Sequence, residues 1–100
     1  MNMAKLEIPP KQAAALPTPV FRIQLASLRS RQAAAKAWGQ HKFDHASLFA
    51  DLEPNIVKVD LKGKGTFYRL QAGPFENEEA ARSLCTQVKK QKIGCIVVRP

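Results

Sequence analysis

TFYRLQAGPF, Thr66 to Phe75, is the stretch on which the fold turns. Phe67, Arg69 and Gln71 alternate with Tyr68, Leu70 and Ala72, so a strand here has one apolar face and one face bearing a ring, a cation and an amide. Gly73-Pro74 is expected to end the strand, because Pro has no amide donor and Gly permits a turn that other residues resist. A helical pattern follows at once. The same unit occurs earlier: laying Phe21 on Tyr68, 47 positions on, aligns FRIQLASLRSRQAAA with YRLQAGPFENEEAAR. Arg22 then falls on Arg69, Gln24 on Gln71, and Ala33-Ala34 on Ala80-Ala81. Two strand-turn-helix units, each completed by one further strand, predict β-α-β-β-α-β: an α+β domain with a four-stranded antiparallel sheet and two main helices on one face.

The remaining elements follow from the same patterning. Residues 1–19 hold Pro9, Pro10, Pro17 and Pro19 without a sustained period and read as a flexible linker, with the domain occupying 20–100. Phe21, Ile23 and Leu25 should face the core and Arg22, Gln24 and Ala26 the opposite side. Ser30 is placed to cap a helix through Ala33, Ala34, Ala37 and Trp38, which Gly39 weakens; Phe43, Leu48, Phe49 and Leu52 suit a second short helix or an irregular wrap. In Asn55 to Lys62 the alternation points Val57, Val59 and Leu61 inward, and Lys62-Gly63-Lys64-Gly65 turns the chain into its antiparallel partner. Asn77 caps the second main helix, Glu78 and Glu79 suit its positive end, Gly94 stops it, and Cys95 to Val98 forms the last strand.

One hundred residues make one small domain, and the 45% hydrophobic and 24% charged content is that of a globular chain. Sixteen Lys and Arg against eight Asp and Glu leave a net charge of +8, which favours an anionic partner: nucleic acid, acidic glycan or a membrane surface. No apolar run approaches the roughly 20 residues needed to cross a bilayer, so this segment is not expected to insert in one.

IQLAS followed by a helix, then KGTFYRLQAGPF, an Ala-Ala-containing helix and a final CIVV, resembles the SPOR (sporulation-related repeat) domain, a bacterial peptidoglycan-binding module. The resemblance covers about Val20 to Val98. It implies a ferredoxin-like fold whose open sheet face binds glycan strands lacking stem peptides, which are enriched at the division septum. It also implies a periplasmic location, as the C-terminal part of a membrane-anchored or exported envelope protein, with other divisome or envelope proteins as further partners. The family's strand-one glutamine and serine fall on Gln24 and Ser27, and its strand-three aromatic and arginine on Phe67 and Arg69. Arg22 and Gln71 share their face by alternation and complete the glycan-binding set. The chain departs in having Phe67 where Trp is common and Ala26 where Gly is common. Glycans without stem peptides bear free lactyl carboxylates, which Arg can pair bidentately, while Gln suits hydroxyl and acetamido groups and Phe offers a flat apolar surface.

Cys85 and Cys95 both read as core-facing. In an oxidising periplasm they could form a disulfide worth roughly 2–3 kcal/mol; otherwise they are two buried thiols. His41 and His45 are spaced i, i+4 beside Asp44, but no third ligand accompanies them, so a solvated helix face is expected and no metal or cofactor. No nucleophile-base set or phosphate-cradling loop is present, and catalysis is not expected. The competing reading is an RNA-recognition module, which shares the element order and the basic charge. Its stacking aromatics would occupy Thr66 and Tyr68, yet Thr66 is not aromatic and Tyr68 lies in the core register, so nucleic acid is not the expected partner. The domain is expected to act as a monomer.

Overall fold

The computed structural model describes residues 20–100; the segment read as a linker lies outside the described residues. Four strands, β1 (Phe21–Leu28), β2 (Glu53–Leu61), β3 (Gly65–Phe75) and β4 (Ile96–Val98), form one sheet in the order β2-β3-β1-β4, with every neighbouring pair antiparallel. Helices α1 (Arg31–Asp44), α2 (Ala46–Phe49) and α3 (Glu78–Lys90) complete the ferredoxin-like β-α-β-β-α-β arrangement expected from the periodicity, with α2 as an added short turn.

The helices start where side-chain caps satisfy orphan amides. Ser30 Oγ accepts from the Ala33 amide at 3.0 Å and Asn77 Oδ1 from the Ala80 amide at 2.8 Å, so the two caps keep the 47-residue offset of the repeat. Ala34 and Ala81, another offset pair, are both fully buried, because small side chains let each helix approach the sheet. Ile23, Leu25, Leu70 and Ala72 supply the sheet side of the core; Phe49, Ala81, Cys85 and Val88 supply the helix side, with Cys95 closing one end. Cys85 and Cys95 are joined in a disulfide with a Cα–Cα distance of 5.4 Å.

Several local expectations are corrected. Phe43 does not belong to the second short helix: the first helix passes through Gly39 and runs on to Asp44 before the backbone turns at His45. His41 does not lie on a solvated face: its ring centroid is 6.0 Å from that of Phe49, and burial, followed by the nearby His45, pushes its pKa down. Gly73-Pro74 does not end β3, which continues until Phe75 pairs with Phe21; the register shifts between those residues and the Ile23–Ala72 pair, and Pro74 sits in that irregularity, where no ladder donor is needed. A Cβ at Gly73 would come within 3.1 Å of Arg22 Cγ and 3.2 Å of the Phe21 carbonyl oxygen, so the strands approach closely there because position 73 has none. The chain leaves α3 through Lys92, which takes the left-handed φ of 64°, rather than through Gly94.

The largest correction concerns β2. Its register pairs Val57 with Arg69, Val59 with Phe67 and Leu61 with Gly65, so these three apolar residues share the face that Phe67 and Arg69 occupy, while Ile56 pairs with Leu70 toward the helices. The alternation was legible, but its phase was not. Ile56 and Val57 are both apolar, and the face that receives Ile56 also carries Lys58 and Asp60, both exposed toward the outer end of this edge strand.

Glu78, in the first turn of α3, is hydrogen-bonded by Arg99, just beyond β4, and by Arg82 at 2.7 Å. The Arg99 hydrogen bond is the main cause holding the Glu78 carboxyl below the ordinary carboxylate range, with Arg82 adding to it. A carboxyl whose pKa is depressed by folding contributes stability above its unfolded pKa and loses it as pH falls through the folded value. Glu78→Gln should therefore flatten the acid limb of a stability-against-pH curve measured by urea unfolding between neutral pH and the low end of carboxylate titration. An unchanged slope would mean that the Arg99 contact is absent in solution.

Candidate glycan-binding face

The sheet face opposite the helices is built from paired positions on the central strands. Gln24 on β1 lies directly across from Gln71 on β3, and Gln71 Nε2 donates to Gln24 Oε1 at 3.2 Å. These are equivalent residues of the repeat, so the approximate two-fold relation between the two units passes between them. Gln71 is 7% exposed, the one buried polar side chain among the described residues, and a buried amide needs partners. Its bond to Gln24 ties the two amides together in the middle of the face, and among the described residues the two donors of the Gln24 amide nitrogen are left for a ligand.

Ser27 reaches this face through a β-bulge. Strict alternation from Gln24 would turn Ser27 toward the core, but the register shifts between Gln24 and Ala26, and β1 carries an extra residue there. Leu25 stays buried, Ala26 falls opposite Leu70, and Ser27 falls opposite Arg69, exposed. On the far side of Arg69 stands Val57, and on the far side of Phe67 stands Val59. Arg22 pairs with Val98 and Gln24 with Ile96, which is 58% exposed. Gln24, Ser27, Phe67, Arg69, Arg22 and Gln71 are thus gathered on one sheet face, along two adjacent strands.

The sequence reading did not place Asn55, Val57, Val59 and Ile96 on this face. Asn55 pairs with Gln71 and extends the amide row to a third strand, while Val57, Val59 and Ile96 make the apolar ground around it. The signal was the hairpin itself: once Leu61 is set opposite Gly65, every β2 partner of Phe67, Arg69 and Gln71 follows by counting. Among the described residues neither Arg69 nor Arg22 forms an ion pair; the ion pairs there both involve Glu78. The face also carries Glu53, which pairs with Gly73 on the same side as Asn55, but among the described residues it forms no ion pair with either guanidinium. Among the described residues no three His, Cys, Asp or Glu side chains gather as a metal site would require, and no helix is long and apolar enough to cross a membrane.

Residues 17–99 match the SPOR domain family. The chain belongs to the SPOR domain family. Among solved structures, this SPOR domain is similar to the solution structure of the peptidoglycan-binding domain of the B. subtilis cell wall lytic enzyme CwlC. The likeness covers 83% of this chain and 91% of that one at a TM-score of 0.55, with 14% sequence identity, and it shows a shared fold. No curated protein matches the chain.

Proposed function

We propose that this SPOR domain is a non-catalytic binding module for peptidoglycan, that it recognises glycan strands lacking stem peptides through its open sheet face, and that it thereby places an envelope or cell-division protein at the septum. The observation that carries the reading is the gathering of Gln24, Gln71, Ser27, Phe67 and Arg69 on the one sheet face opposite the described helices. A glycan without stem peptides is polyanionic at its lactyl groups and partly apolar on its sugar faces. The guanidinium of Arg69 suits the first, and Phe67 with Val57, Val59 and Ile96 suits the second. Family membership and the net charge of +8 support the same ligand. The Cys85–Cys95 disulfide suits the oxidising periplasm, as part of a membrane-anchored or exported protein. The domain acts as a monomer, because the face it uses is the one a sheet-on-sheet dimer would cover.

The test is capture of the purified protein on intact sacculi, on amidase-treated sacculi and on immobilised single-stranded RNA. Binding should rise with amidase treatment. Arg69→Ala should weaken it by about tenfold or more, since a hydrogen bond to a charged group contributes about 1.5–3 kcal/mol. Retention on RNA with indifference to amidase would overturn the proposal in favour of a nucleic-acid-binding module.

A further inference from the structure

Arg29 lies just past the end of β1, and continuing the β1–β3 register beyond the Leu28–Tyr68 pair sets it opposite Phe67. The side chain is placed by three features. Its guanidinium carbon lies 4.4 Å from the centroid of the Phe67 ring, within cation–π range. Arg29 Nη1 donates to the Lys64 carbonyl oxygen at 3.4 Å. Gly65 keeps the space open: a Cβ there would sit 3.0 Å from the same Nη1, and the φ of +102° at Gly65 favours glycine independently. An exposed arginine ordinarily samples many rotamers. This one rests on a ring and is tied to a turn, yet it forms no ion pair among the described residues. Asp60, the nearby acid in the strand facing β3, is engaged by the Thr66 hydroxyl at 2.6 Å.

We infer that Arg29 and Phe67 form one composite subsite, in which the ring takes a sugar face and the stacked guanidinium reads a lactyl carboxylate separate from the one met by Arg69. The inference rests on the glycan-binding reading above and adds a second carboxylate contact at the hairpin end of the face. Two guanidiniums, Arg69 on β3 and Arg29 just past the end of β1, make recognition depend on carboxylates that recur along the glycan. A glycan that keeps its stem peptides has amides at those positions and loses both contacts. Stacking also fixes the plane of the guanidinium, and a planar fork held in place is what bidentate pairing with a carboxylate requires.

The test uses soluble glycan fragments from amidase-treated and muramidase-treated sacculi, either as free acids or with their carboxylates converted to amides. Arg29→Ala should weaken binding of the free-acid fragments about tenfold and that of the amidated fragments less than twofold. Arg29→Lys, which keeps the charge but not the fork, should recover only part of the loss. In a double-mutant cycle, Arg29→Ala and Phe67→Ala should be non-additive, because they share one subsite. If wild type binds the free acids and Arg29→Ala binds them equally well, or loses as much on the amides, this subsite is refuted while the function of the face stands. If wild type itself does not distinguish acid from amide, the glycan-carboxylate reading falls as a whole.

Discussion

Phe49→Ala should remove about 3–5 kcal/mol of folding free energy, the largest loss expected of any single substitution in the domain. Phe49 is fully buried and is the largest of the fully buried side chains. It is also the only fully buried residue of α2, so its ring is the main anchor of this four-residue helix, with Leu48 packed partly buried against the same core. The ring stands edge-on to Trp38 at a centroid distance of 5.5 Å and an interplanar angle of 65°, a favoured aromatic geometry. Truncation therefore opens a cavity between α1, α2 and the sheet and frees the connection into β2. Single domains hold about 5–15 kcal/mol in total, so the variant should be marginal at ambient temperature, with its melting point lowered by roughly 15–30 °C. Urea unfolding followed by the emission of Trp38, the single tryptophan, measures this directly. Phe49→Leu, which keeps much of the burial and loses the ring contacts, should fall between wild type and Ala. A Phe49→Ala midpoint equal to that of wild type would show that α2 is not anchored as described.

Removing the disulfide should be the second largest effect, a loss of about 2–5 kcal/mol, the range found when a native bridge is taken from a small domain. The bridge runs from the middle of α3 to the residue before β4, and both cysteines are buried, at 4% and 5% exposure. β4 has three residues and among the described residues pairs only with β1, a ladder too short to hold it firmly. Cys85→Ala combined with Cys95→Ala, or reduction of the wild type, should lower the urea midpoint and release the amides of Ile96–Val98 to hydrogen exchange before those of β3. Ile96 borders Gln24, so glycan capture should weaken as well, though less than in Arg69→Ala, because the Gln24–Gln71 pair and Arg69 belong to β1 and β3. Equal urea midpoints with and without reductant would refute the role assigned to the bridge.

Both effects depend on contacts between elements distant in sequence, and the sequence contains only part of what produces them. The two cysteines read as core-facing, but whether they bridge depends on the approach of α3 to β4. Phe49 stood among several apolar residues after Gly39, and only the packed structure singles it out, because it alone of that group is fully buried while Phe43 is 84% exposed. For the sheet face, Gln24, Phe67, Arg69 and Gln71 were legible because a strand alternates with period two and the neighbouring core residues are unambiguous. Ser27 was reached through family resemblance alone, since only the bulge beside Ala26 turns it to the open side. Arg29 was missed because it lies beyond the alternating segment and is placed by a carbonyl and a ring from the opposite strand.

By itself the sequence determined whatever a short run of backbone decides locally: the order of strands and helices, the caps Ser30 and Asn77, the turn at Gly63 and Gly65, and the inner and outer faces of the two central strands. Tertiary structure alone decided the phase of β2, the bulges that re-aim Ser27 and admit Pro74, and the seat of Arg29 on Phe67. The physical reason is that side-chain periodicity is local, whereas register is set between strands and cover is set by helices packed from elsewhere in the chain. Residues such as Val57 and Lys58 carry no mark of which face they will meet until the partner strand and the overlying helix are in place.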